Sequence, residues 1–115
     1  MIIALIHNEA SAGLAQVLSL LGSVRVFADQ SGLREYLVSG APCHLVVSAT
    51  DGALGMNFCI TAHERRKGVP ILWITEQKEF EPQSRRIPVD TFLVKPVEPS
   101  AVFTAAERLL QGQAH

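Results

Sequence analysis

The sequence predicts an α/β fold: a doubly wound, three-layer domain whose five parallel strands run in the order 2-1-3-4-5. Three observations predict it. Five short apolar runs recur along the 115 residues, and continuous apolarity over a few positions suits strands buried on both faces. Segments with helical spacing separate most of them, which gives a parallel sheet covered on both sides, and right-handed crossovers then leave few topologies. Near the C-terminus, Phe92-Leu93-Val94 ends in Lys95-Pro96, which sets an ammonium at the carboxyl edge of the sheet, where ligands of such folds gather.

Each element follows from its own residues. Ile2 to Ile6 is the first strand, stopped by polar His7-Asn8-Glu9. From Ala10 to Leu21, Leu14, Val17, Leu18 and Leu21 recur at helical spacing, with Gly22 as the closing residue. Val24 to Phe27 is the second strand. Ser31 to Val38 is a short helix with Leu33, Tyr36 and Leu37 on one face, ended by Gly40 and Pro42. His44 to Ala49 is the third strand, opening into a loop over Thr50 to Gly55 by its glycines and aspartate. Met56, Cys59, Ile60 and His63 mark the next helix, closed by Arg65-Arg66-Lys67 against the negative dipole end and by Gly68. Val69 to Thr75 is strand four. The polar stretch from Glu76 to Pro88 is interrupted by Pro82, so a fourth helix there is short or irregular. Val89 to Val94 is strand five. Pro99 opens the last helix, with Val102, Phe103, Ala106, Leu109 and Leu110 inward.

Composition narrows the function. A chain that is 48% hydrophobic with a net charge of −1 is globular and poorly suited to a phosphate backbone or an anionic membrane. The expected domain is 1–112, with a frayed tail at 113–115. No apolar run is long enough to span a bilayer, and the first residues lack the leader of a signal peptide. Cys43 and Cys59 make no CxxC, so a reducing cytoplasm is the expected compartment.

Lys95 can stabilise an anion, and Pro96, at the one type of bond where a cis peptide is cheap, can hold the turn rigid. On this skeleton, Phe92-Leu93-Val94-Lys95-Pro96 and Ile71-Leu72-Trp73-Ile74-Thr75 resemble strands five and four of the receiver domains of bacterial response regulators, CheY-like domains of flavodoxin-like fold. The resemblance covers essentially the whole chain. It implies that Lys95 is the phosphate-side lysine, Thr75 the switch hydroxyl, Phe92 the aromatic switch and Pro96 the cis proline. It also implies two-component signal transduction, with a histidine kinase, an output domain or a second copy as partner. The partner face would be the family's fourth helix, fifth strand and fifth helix.

The departures are equally specific. Strand one of the family ends in consecutive acidic residues that hold Mg²⁺; here His7-Asn8-Glu9 offers one carboxylate, and imidazole serves that hard ion badly. The phosphoacceptor position falls on Ser48 or Ala49, neither of which forms an acyl phosphate. Asp51 lies two residues on, roughly 6 Å along an extended chain. Misplacement by about 1 Å can already cost a hundredfold in rate. Phosphoryl transfer of this kind is mostly positioning and charge neutralisation. The expectation is therefore a receiver-like domain with a degenerate acidic pocket of His7, Asn8, Glu9, Ser48 and Ala49. It would need no cofactor, catalyse at most its own phosphorylation, and act through protein contacts. Mg²⁺, with Glu9 as a weak ligand, enters only if the site works.

Two other readings stay open. A working receiver would use Asp51 with Lys95, Thr75 and Glu9. A flavodoxin-like small-ligand carrier needs a phosphate-cradling loop, and His7 to Gly13 supplies one glycine and no P-loop spacing. Each residue also has a plainer role. Asp51 suits a turn before Gly52, Glu9 a helix N-terminus, Thr75 a strand-end cap, Phe92 the core and His7 a structural hydrogen bond. Cys59 and His63 read as packing, and Arg65-Arg66-Lys67 as a solvated helix end.

Overall fold

The computed structural model describes residues 2–7, 12–27, 30–49, 52–66, 68–75, 89–94 and 98–112. Nine elements alternate along them: β1 (Ile2–His7), α1 (Ala12–Leu18), β2 (Ser23–Phe27), α2 (Gln30–Val38), β3 (Leu45–Ala49), α3 (Gly52–Arg65), β4 (Ile71–Thr75), β5 (Thr91–Val94) and the last helix, α4 (Pro99–Gly112). All strand pairs are parallel, and the sheet order is β2-β1-β3-β4-β5. This is the doubly wound order expected from the alternation of apolar runs and helices.

Strand alternation divides the core in two. On one face Ile3, Leu5, Leu45, Val47, Ala49, Leu72 and Ile74 meet Leu18 of α1 and Val102, Ala106 and Leu110 of α4. On the other, Ala4, Ile6, Val46, Ile71 and Trp73 meet Leu33 and Leu37 of α2 and Phe58, Cys59 and Ala62 of α3. β3 is buried at all five positions, Ser48 included, as befits a central strand. No described helix is long and apolar enough to cross a membrane.

Several boundaries differ from the sequence reading, each for a local reason. α1 stops at Leu18 rather than Leu21. The chain tightens there into a turn, with Leu20 N–H on the Val17 carbonyl at 3.2 Å and Leu21 N–H on that of Leu18 at 2.9 Å. The predicted loop through Gly55 is already helix from Gly52. Glycine costs a helix about 1 kcal/mol per residue, and burial of Phe58, Cys59 and Ala62 on the sheet outweighs it. α4 runs through Gly112, with Leu110 still anchored in the core. Strands three, four and five each start one or two residues late. The residues before them belong to the approach, as where Asp90 N–H donates to the Ile71 carbonyl at 2.9 Å.

Two glycines do what only glycine does easily. Gly40 (φ 82°) follows α2, and Gly68 (φ 94°) follows α3. After Gly40 the connection is held by Tyr36, whose hydroxyl donates to the Pro42 carbonyl, and by Arg66, which donates to the carbonyls of Leu37 and Ala41. The expected fourth helix between Glu76 and Pro88, and the tail at 113–115, lie outside the described residues.

Candidate functional site

Four strands converge at the carboxyl edge. β1 ends at His7, β3 at Ala49, β4 at Thr75 and β5 at Val94. Register fixes their relative heights: His7 pairs with Ala49, Ser48 with Trp73, and Thr75 with Val94. His7 and Ala49 thus lie side by side, and β4 and β5 run about one residue further. Thr75 sits one step above the Ala49 level, and Lys95 follows the last residue of β5. Lys95, Pro96, Asn8, Glu9 and Asp51 lie outside the described residues.

Ser48 and Ala49, assigned to one pocket from the sequence, take opposite faces. Ser48 is fully buried on the α2 and α3 side, where its hydroxyl hydrogen-bonds the Cys59 thiol. Burial pushes that thiol up to about 12, and the Ser48 hydroxyl opposes the shift. Ala49 is fully buried on the α1 and α4 side and is the last residue of β3. The strand-end position is therefore that of Ala49, which brings a methyl group. Period-two alternation carried this distinction in the sequence.

Mg²⁺ needs several oxygen ligands, and at the paired ends of β1 and β3 neither His7 nor Ala49 has a side-chain oxygen. Among the described residues no group of three or more His, Cys, Asp or Glu could hold a metal ion.

Phe92 pairs with Trp73 across β4 and β5, and the rings meet edge to face at 5.1 Å and 69°. Trp73 is completely buried and Phe92 half-buried. An edge-to-face pair of this kind is worth about 0.5–1.5 kcal/mol beyond its buried area. Rotation of Phe92 away from the sheet gives up that contact.

Sequence reasoning missed the side chains that hold the opposite, amino edge. The Asp90 carboxylate accepts the Ile71 N–H at 2.7 Å, and His44 Nδ1 accepts the Ile2 N–H at 3.0 Å. Both pairs join residues far apart in the sequence, and no local motif announces them.

Solved structures with this arrangement are numerous. A CheY-like response regulator receiver domain protein from Methanospirillum hungatei superposes with a TM-score of 0.83 at 19% identity, over 98% of this chain and 95% of that one. The chain has the CheY-like receiver fold. A response regulator receiver protein from Sinorhizobium medicae matches the fold with a TM-score of 0.79 at 26% identity, over 96% of this chain and 94% of its own. The N-terminal domain of a response regulator/sensory box/GGDEF 3-domain protein from Carboxydothermus hydrogenoformans matches at 0.80 and 16% identity, over the full length of both. No family model matches the sequence, and no curated protein matches it. The receiver likeness thus rests on three-dimensional arrangement: strand order, the two-sided core and the shared height of the strand ends.

Proposed function

We propose that the chain is a receiver-type signalling module that acts through protein–protein contact and does not hold an aspartyl phosphate efficiently. The observation that carries this reading is Ala49. It closes β3 beside His7, at the height where a receiver presents its acceptor, and it supplies a methyl group. Acyl phosphate formation joins a carboxylate oxygen to phosphorus as the donor's leaving group departs, so it needs a carboxylate at that point. Without one, Lys95 and Thr75 are structural or vestigial groups.

Regulation then comes from a partner that binds two conformations with different affinity. The partner is another signalling protein, an output domain joined in the same chain, or a second copy. The Carboxydothermus relative, as the N-terminal domain of a three-domain protein, supports the second arrangement.

The test is incubation with Mg²⁺ and acetyl phosphate followed by intact-mass measurement. The unmodified mass is expected. A base-labile phosphate adduct that disappears in Asp51→Asn overturns the reading in favour of a working receiver that uses Asp51. Asp51 directly precedes Gly52, where α3 begins, and aspartate at such a position is a favoured helix cap.

A further inference from the structure

α2 carries a second stripe besides the one it buries. Leu33 and Leu37 enter the core, whereas Ser31, Arg34, Glu35 and Val38 recur at i, i+3, i+4 and i+7 along an exposed flank. With Arg65, the last residue of α3, these four line a groove of about 390 Å³. The place of Arg65 has a cause. Its neighbour Arg66 donates to the carbonyls of Leu37 and Ala41, which ties the end of α3 to the end of α2. The fold thus brings two arginines far apart in sequence to one groove.

The chemistry of the lining selects what fits it. Among the described residues neither Arg34 nor Arg65 has a hydrogen bond or ion pair from its guanidinium, and Glu35 pairs with neither. Val38 is apolar and 62% exposed. Two uncommitted guanidiniums beside an apolar side chain suit a segment that brings carboxylates and an apolar residue together. A phosphate backbone fits badly. Glu35 repels an unbroken run of negative charge, and the chain as a whole stands at −1.

We propose that the groove between α2 and α3 docks an acidic segment of another signalling protein, with its carboxylates on Arg34 and Arg65 and an apolar side chain on Val38. This surface rests on the reading of the chain as a protein-contact module and gives the partner its chemistry. It is separate from the carboxyl edge. In a parallel sheet the connecting helices run back from that edge, and Val38 and Arg65 close α2 and α3 at the far end. Docking there asks nothing of Asp51 or Lys95. Because Arg66 already ties the two helix ends, binding needs little ordering of the backbone.

The probe is a capped peptide of repeated Glu-Glu-Leu, titrated into ¹⁵N-labelled protein. The amides of Arg34, Val38 and Arg65 should shift and saturate by about 1 mM peptide. Arg34→Glu combined with Arg65→Glu turns two attractions into repulsions and should weaken binding about tenfold. Both side chains are exposed, and a cooperative urea transition shows that the double variant is folded. The parent supplies a reading that needs no variant: its affinity for the peptide should fall as salt is added. No saturable shift at these amides, equal affinity in the variant, or affinity indifferent to salt overturns the proposal. Oligothymidylate bound in the groove as tightly as the peptide also overturns it, in favour of a general polyanion site. A phosphate adduct in the intact-mass test overturns the contact-module reading and leaves these shifts in place, so the two failures are told apart.

Discussion

At Arg66 one guanidinium serves two backbone carbonyls, Leu37 in the last turn of α2 and Ala41 in the connection beyond it. The end of a helix leaves carbonyls without partners, and Arg66 satisfies one from a neighbouring helix while fixing the approach to β3. Charged hydrogen bonds of this kind are worth about 1.5–3 kcal/mol each at most, so Arg66→Ala should cost about 2 kcal/mol in urea unfolding. A loss within experimental error would mean that the contact is ornamental. Cys59 gives a second test at this scale. Its thiol is pushed up to about 12 by burial, whereas an unfolded cysteine ionises near 8.5. A value raised in the folded state contributes stability that is complete below about pH 8.5 and lost as pH climbs toward the folded value. The stability advantage of the parent over Cys59→Ala should therefore shrink between about pH 9 and 11. An advantage that stays constant over that range contradicts the burial seen here.

Among the elements, the β4–β5 pair couples the hydrophobic core to the edge. Trp73 is the only tryptophan in the chain, so its fluorescence reports this one contact. Phe92→Ala removes the ring packed on it and should lower stability by about 2 kcal/mol, less than for a fully buried ring. The Trp73 emission should move to the red as water reaches the indole. Unchanged emission would show that Phe92 does not shield it. Helices were legible in proportion to their packing. Of the five residues expected inward on α4, Val102, Ala106 and Leu110 are in the core and Leu109 packs against it, whereas Phe103 is half-buried and belongs to neither core cluster. α1 is only seven residues long, too short to persist alone, and its end is set by the turn into β2, which spacing does not encode. The first turn of α3 was misread because Gly52 and Gly55 carry a strong local signal that tertiary burial overrides.

For the molecule as a whole, strand order and the two-sided core were readable because continuous apolar strands alternating with helices admit few solutions. The edge was readable only in part. Phe92-Leu93-Val94 and Ile71 to Thr75 announce strands by composition, so the neighbours of Lys95 and Thr75 could be ranked in order. That β3 ends at Ala49 was readable from composition, but that Ala49 lies level with His7 is a long-range fact, given by the pairing of the two. The hydrogen bonds of His44 and Asp90 were invisible for the same reason: each joins a side chain to a strand far away in sequence. What remains distinctive is a receiver fold whose third strand ends in alanine. Titration of ¹⁵N-labelled protein with Mg²⁺ and beryllofluoride reads that edge directly, because the acyl-phosphate mimic does not depend on the survival of a labile adduct. The amide resonances of Ala49, Thr75 and Phe92 should stay in place throughout, whereas saturable shifts at these three positions would contradict the account.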